Sequence, residues 1–268
     1  MTCAIVSSGA LDMADPAALG AEEAHHLRDV LRVRRGERLL LTDGEGRVRE
    51  ASVRDVSRAG VSLCDFEPIR TLPRPTARAT LLVCIAKPAR MDWLLEKACE
   101  LGAERIVPVL SERVVARQKP GETPDRWRRI LDSALRQCGG GWATALAPVS
   151  SWSDALSEIQ GIDGPTFVGS LAPGALPLGD AIADHATHLA SGGRCGWLVG
   201  PEGDFSPREL ESVLALPSAV PVTLGTRILR VETAAVCGLS AILSASLTSG
   251  GGIAAATAAT AATARTSK

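Results

Sequence analysis

From residue 79 onward the chain repeats one pattern: a short apolar run, then a stretch whose apolar residues recur at helical spacing. ATLLVCIA leads into RMDWLLEKACELG, ERIVPVL into PDRWRRILDSALRQC, and ATALAPV into SWSDALSEI. PTFVGS and GWLVG read as further strands, followed by helix SPRELESVLAL, strand AVPVTL and helix ETAAVCGLSAIL. Strands separated by helices cannot pair as hairpins, so the alternation predicts an α/β fold with a mostly parallel sheet and helices on both faces. Local signals punctuate it. Gly102 reads as a helix stop, and Ser206-Pro207-Arg208-Glu209 as a helix start with a capping Ser, a Pro in the first turn and an acid three residues on.

The first 67 residues follow a different rule. Apolar runs around Asp43-Gly44 and again around Ala59-Gly60 read as β-hairpins, and GAEEAHHLRDVLRVRRGE reads as one helix with Leu27, Val30 and Leu31 on a face and Gly36 at its end. These add up to a small barrel-like unit. Three prolines in Pro68-Ile-Arg-Thr-Leu-Pro-Arg-Pro75 suit an extended linker, which sets the expected organisation. It is a β domain over 1–73, an α/β domain over 74–249 and a disordered Ala/Thr-rich tail over 250–268.

Composition narrows the class. With 46% hydrophobic residues among 268, the chain has enough apolar material for a sizeable core. Seven cysteines, odd in number and never spaced C-x-x-C, exclude a disulfide framework and a zinc site, and read as buried thiols in a reducing cytoplasm. No apolar run approaches the length of a membrane span, and the N-terminal residues lack the pattern of a secretory signal. A net charge of −1 excludes a globally basic nucleic-acid binder, although 25 Arg against 4 Lys leave room for local clusters. With no Tyr and three Phe, any RNA recognition must rest on shape and phosphate contacts more than on base stacking.

Two strand ends draw attention. WLVGPEGDFSP runs from an apolar strand through Gly200-Pro201-Glu202-Gly203 into a capped helix, and LGTRILRVETA runs from Leu224-Gly225 past Arg227 and Arg230 to Glu232. Open α/β sheets bind ligands at the carboxyl ends of their strands, where glycine allows close approach to the backbone. Arg230 and Glu232 also suit a plain ion pair at a helix start, favoured by the helix dipole. No phosphate-cradling glycine motif follows a strand, and no HExxH, paired Cys or clustered His indicates a metal. His25 and His26 sit in a helix pattern, and His185 and His188 flank a loop, as surface or capping residues.

GPEGDFSPREL together with LGTRILRVETA resembles the G-P-E-G-G and L-G-x-R-I-L-R-x-E-T-A patterns of the bacterial 16S ribosomal RNA (uracil-N3)-methyltransferases of the SPOUT superfamily. HHLRDVLRVRRGERLLLTDGEG, KPARMDWLLEKACELGAERIVPVLSERVV and the RQCG element extend the likeness over nearly the whole chain. The resemblance implies a PUA-like N-terminal β-barrel that holds RNA and a SPOUT-type α/β domain ending in a trefoil knot. It also implies S-adenosylmethionine as methyl donor, 16S rRNA of the small ribosomal subunit as substrate, and a cytoplasmic homodimer working without a metal.

On this resemblance Ser170, Leu171, Gly200, Pro201, Glu202, Gly203, Leu224, Gly225, Ile228, Leu229 and Arg230 wrap the cofactor. Arg230 stabilises negative charge on the uracil oxygens, and Glu232 or Glu202 accepts the N3 proton. Arg28, Arg32, Arg34, Arg35 and Arg38, with Arg126, Arg128, Arg129 and Arg136, face RNA, where a solvated surface reads the same way. The chain departs from the family pattern E-Q-[SC]-G-R at Arg136-Gln137-Cys138-Gly139-Gly140, and has Asp204 for the second Gly of G-P-E-G-G and Val231 for a Thr. Two alternatives stand beside this reading: a SPOUT enzyme acting on a ribose 2′-hydroxyl, and a catalytically weakened RNA-binding or ribosome-assembly protein.

Overall fold

The computed structural model describes residues 2–248 apart from 16, 59, 115–117 and 173. The expected disordered tail over 250–268 lies outside them. The chain divides into two compact units: residues 1–74 with 125–144, and 75–124 with 145–268.

The first unit contains β1 (Thr2–Ile5), α1 (Ser8–Leu11), β2 (Ala17–Ala18), α2 (Ala21–His25), β3 (Arg38–Thr42), β4 (Arg47–Ser57), β5 (Gly60–Cys64) and β6 (Arg70–Thr71). Its six-stranded sheet runs β1-β3-β4-β5-β2 with β6 on β4; only the β1–β3 pair is parallel. Leu27, Leu39, Leu41, Val53 and Leu63 fill its core. Both expected hairpins form.

The single helix expected up to Gly36 does not. After α2 the backbone loosens into a π-helical turn over His26–Val30, closed by Leu31 N–H donating to the His26 carbonyl, and this register leaves Val30 60% exposed. The expected apolar face therefore keeps Leu27 and loses Val30.

This unit also claims a segment expected in the second domain. Between β8 (Arg105–Val109) and β9 (Ala145–Leu146) the chain forms α4 (Asp125–Cys138), which packs against β1. The residues after α4 are stitched to the β3–β4 hairpin. Gly46 N–H donates to the Gly141 carbonyl at 2.7 Å, and Ala143 N–H to the Gly44 carbonyl at 2.8 Å. Gly46 has a left-handed φ of 95°, and a Cβ there would lie 2.2 Å from the Trp142 ring. Backbone hydrogen bonds at both strands of this contact explain why 125–144 leaves the α/β unit.

The second unit comprises β7 (Arg78–Cys84), α3 (Pro88–Leu101), β8, β9, α5 (Trp152–Gln160), β10 (Thr166–Gly169), β11 (Leu176–Pro177), α6 (Leu178–Asp184), α7 (Ala186–Ala190), β12 (Arg194–Val199), α8 (Pro207–Leu214), β13 (Ala219–Thr223) and α9 (Val231–Thr248). All pairs in its seven-stranded sheet, ordered β11-β13-β10-β12-β7-β8-β9, are parallel. The parallel sheet expected from the alternation is present. Gly102 caps α3 in the left-handed conformation, and Ser206 and Glu209 form the expected capping box on α8. Helices α6 and α7, not evident in the sequence, supply the crossover that parallel strands require; His188 lies on α7, and His185 is the cap residue between the two helices.

Helix α9 buries Val231, Ala235, Leu239 and Ile242, a stripe at helical spacing. Its partner is Trp197, fully buried on β12, whose indole N–H donates to the Ala235 carbonyl at 3.2 Å. Gly238 makes room: a Cβ there would lie 2.3 Å from the ring. Among the described residues no helix is long and apolar enough to cross a membrane.

Of the seven cysteines, four are buried and Cys64 is half-buried, while Cys138 and Cys237 are exposed, which corrects the reading of all seven as buried thiols. Burial pushes the thiols of Cys84 and Cys195 up to about 12 from an ordinary 9.0.

Three measurements test this packing. Gly238→Ala forces a methyl into the indole and lowers unfolding free energy in urea by about 2 kcal/mol, whereas Gly179→Ala, with open space at its Cβ, leaves it within about 0.5 kcal/mol. A thiol reagent labels Cys138 and Cys237 in the native protein and reaches Cys84 and Cys195 only in denaturant. Because the buried thiols stay protonated where unfolded ones ionise, their contribution to stability is complete below pH 9 and declines between about pH 9 and 12, read as a falling urea midpoint.

Candidate functional site

Strands β13, β10 and β12 are adjacent in the sheet, and the chain leaves each at the same edge. The three loops that follow enclose a cavity of about 310 Å³. Gly169, Ser170 and Leu171 come from the first to be made, residues 200–204 from the second, and Leu224, Gly225, Arg227, Ile228 and Leu229 from the third. Trp197, Val199 and Val222 form the strand side, and Val231 and Ala234 of α9 the helix side. All ten of the residues from Ser170 to Leu229 expected around a cofactor therefore line one space.

The exception is Arg230. Its side chain is exposed and outside the cavity lining. Glu232, in the first turn of α9, is not on the lining either, and it does not pair with Arg230. It faces Arg90 of α3, whose Nε lies 3.6 Å from Glu232 Oε1, while Glu232 Oε2 is buried with no hydrogen-bond partner among the described residues. The same guanidinium bonds Glu202 on the cavity wall through Nη1. Arg90 sits inside the quoted KPARMDWLLEK stretch, but its number alone carries no signal; only tertiary packing brings α3 to the two acids.

The lining reflects its sequence. Gly225 has φ 129°, open only to glycine at low cost, and nothing lies within 4 Å of where its Cβ would be. At Gly200 a Cβ would come within 3.0 Å of Phe205, so a side chain there would require the ring that backs the turn to shift by a few tenths of an ångström. Asp204 adopts a left-handed φ of 62°, a conformation Asp tolerates better than most residues, and its carboxylate accepts from Phe205 N–H at 2.8 Å. This is the physical reason that Asp stands where the resembled pattern has Gly. The apolar walls lack a partner: Ile228 is 80% exposed and Leu171 58%.

Buried carboxylate chemistry fixes the second loop from below. Glu209 on α8 accepts from Ser206 N–H at 2.9 Å and from Glu112 N–H, in the loop after β8, at 2.7 Å. Arg113 in that loop donates to the Gly203 carbonyl at 2.6 Å. The glycine-rich turn is thus anchored to the β8 loop at two points.

The arginines expected to face RNA gather in the first unit, since α4 belongs there. Arg32, Arg34, Arg35, Arg126, Arg128 and Arg129 are exposed; Arg136 is half-buried, and with burial its charge pushes His26 below the ordinary histidine range. Arg28 bonds Asp29 and the Ser57 and Arg58 carbonyls, and Arg38 bonds Glu50 and Glu67. Both are committed within the unit. Among the described residues no group of three or more His, Cys, Asp or Glu is placed to hold a metal ion.

Comparison with known proteins agrees with this geometry. A family model described as the RNA methyltransferase domain matches residues 73–243, and one described as the RNA methyltransferase PUA domain matches 19–63. The chain belongs to the RNA methyltransferase family. Ribosomal RNA small subunit methyltransferase E of Bacillus subtilis is 27% identical over 226 residues, covering 82% of this chain and 87% of that one. Its namesake from Mycobacterium tuberculosis is 29% identical, covering 84% and 85%. Among solved structures, ribosomal RNA small subunit methyltransferase E from Neisseria gonorrhoeae bound to S-adenosyl methionine superposes with a TM-score of 0.77 at 28% identity, over 91% of this methyltransferase-family chain and 97% of that one.

Removing Glu209 tests the anchor. Glu209→Ala strips a cap and leaves two N–H groups without their acceptor, lowering unfolding free energy by about 3 kcal/mol. Glu209→Gln keeps one carbonyl acceptor and loses about half as much, both read by urea denaturation.

Proposed function

We propose that this RNA methyltransferase transfers a methyl group from S-adenosylmethionine to N3 of a uridine in 16S ribosomal RNA, as a cytoplasmic homodimer. The observation that carries the reading is the single cavity formed where three adjacent parallel strands end in glycine-bearing turns. The chain's similarity to ribosomal RNA small subunit methyltransferases E over more than 80% of its length supports the substrate. The interleaved order, with β12 and β13 each lying between strands made earlier, suits the trefoil knot that the SPOUT reading implies.

The residues present fit this cofactor. The cavity lies within the size range of small-molecule sites, its walls are mainly apolar, and its glycines leave backbone amide and carbonyl groups accessible for adenine recognition. Leu171, Leu224, Ile228 and Leu229 would pack against the nucleoside, and Gly200, Gly203 and Gly225 would let it approach the main chain. When bound, the cofactor supplies a methyl group on a sulfonium sulfur that leaves with the C–S electron pair as a neutral thioether.

Uracil N3 must lose a proton for its lone pair to act as nucleophile. A carboxylate takes that proton, and Glu232 suits the role: it is buried to 12% side-chain exposure and has one oxygen without a partner. Arg230, exposed and immediately before α9, would turn toward the uracil oxygens and stabilise the negative charge that builds there. Exposed Arg32, Arg34 and Arg35 in the PUA-matched unit suit contacts to phosphates.

The deciding measurement uses small ribosomal subunits that lack the modification, incubated with labelled S-adenosylmethionine and the protein, then digested to nucleosides. Label in N3-methyluridine is the expected outcome, reduced at least about 100-fold in Glu232→Ala. Label on a ribose assigns the protein to 2′-hydroxyl chemistry, and RNA binding without label assigns it to a non-catalytic role.

A further inference from the structure

We propose that Arg90 is a positioning residue that couples the cofactor cavity to the proton-accepting carboxylate. The inference rests on the reading of Glu232 given above. One guanidinium spans two acids from two different chain segments: Nη1 holds Glu202, on the cavity wall, and Nε lies 3.6 Å from Glu232, at the start of α9. Arg90 itself comes from a third segment, the first turn of α3 after β7. The ends of β7, β12 and β13 are thereby joined through one planar, permanently charged group.

Two features make this more than a surface ion pair. Glu232 is largely buried, and a buried carboxylate without a neighbouring cation carries a large desolvation cost. Arg90 offsets that cost on Oε1 only. Among the described residues Oε2 is left buried and unpartnered, the condition a proton acceptor requires before substrate arrives. Without Arg90, Glu202 and Glu232 lose the cation between them, like charges separate, and Glu232 has nothing to hold its orientation. Movement of Glu202 by a ligand in the cavity is transmitted to Glu232 by the same group. The proton moves from N3 to the Glu232 carboxylate, and the electron pair stays on N3.

Arg113 provides the control. It holds the same glycine-rich turn through the Gly203 carbonyl but touches neither acid. The experiment compares the full-length wild type with Arg90→Met, Arg90→Lys and Arg113→Ala, each also combined with Glu232→Gln, in steady-state methyl transfer. Arg90→Met is expected to lower kcat about tenfold to a hundredfold, with KM for RNA and cofactor within about threefold, because a misplaced acceptor affects the step more than binding. Arg90→Lys recovers part of the loss. In the Glu232→Gln background Arg90→Met costs less than about threefold, whereas the effect of Arg113→Ala is the same in both backgrounds.

Hydrogen exchange of the ligand-free proteins supplies a readout independent of turnover. Amides of 201–204 and 231–234 exchange at least about tenfold faster in Arg90→Met than in the wild type. Equal losses in both Glu232 backgrounds, a change confined to KM, or unaltered exchange at either segment overturns the proposal. If the wild type transfers no methyl group, the functional reading fails, and the exchange result still judges whether Arg90 holds the two segments.

Discussion

One indole fixes the geometry on which the site depends. Trp197 sits fully buried on β12, hydrogen-bonded to the Ala235 carbonyl of α9 and nested against Gly238. On its other side it meets β10, where a Cβ at Gly169 would lie 3.1 Å from the ring. Gly169 opens the first cavity loop, Trp197 stands three residues before Gly200 in the second, and α9 begins where the third ends. A single side chain therefore sets the spacing of all three walls. Two glycines, neither in a turn, exist to admit it, and the tryptophan explains a mid-helix glycine that costs helix propensity of about 1 kcal/mol.

Charge acts around that apolar pivot. The turn between β12 and α8 is held at Glu202 by Arg90, at Gly203 by Arg113 and, through Glu209 of the following helix, by the Glu112 N–H. These partners come from the loops and helices after β7 and β8, so the half of the sheet that does not line the cavity restrains the half that does. The charges at the LGTRILRVETA junction divide accordingly. Arg227 lines the cavity, Arg230 projects into solvent, and Glu232 turns inward to Arg90. Spacing along the chain allowed Arg230 and Glu232 to pair; the direction of the first turn of α9 separates them.

The surface that carries the N-terminal arginines is likewise a product of tertiary packing. Two arginine-bearing segments about a hundred residues apart, 28–38 and 126–136, fold into one unit because α4 crosses back onto β1. The unit that holds the PUA-matched residues 19–63 thus also includes a helix from outside that match. The family departure at 136–140 also falls within that unit, at the end of α4, with Gly139 in a left-handed conformation.

Short-range physics was legible in the sequence. Apolar periodicity, the Gly102 stop, the Ser206–Glu209 capping box and the glycine corners at Gly200 and Gly225 are decided by residues within a few positions of one another, and each appears where its pattern indicates. Where local signals were weak or competing, the reading failed: α6 and α7 went unread, and a continuous helix was expected where a π-turn exposes Val30. Only the tertiary structure decided the order β11-β13-β10-β12-β7-β8-β9, the transfer of α4 to the first unit and the meeting of Arg90 with Glu202 and Glu232. Those contacts join residues separated by scores of positions. Their formation depends on how whole elements pack, which no local preference encodes.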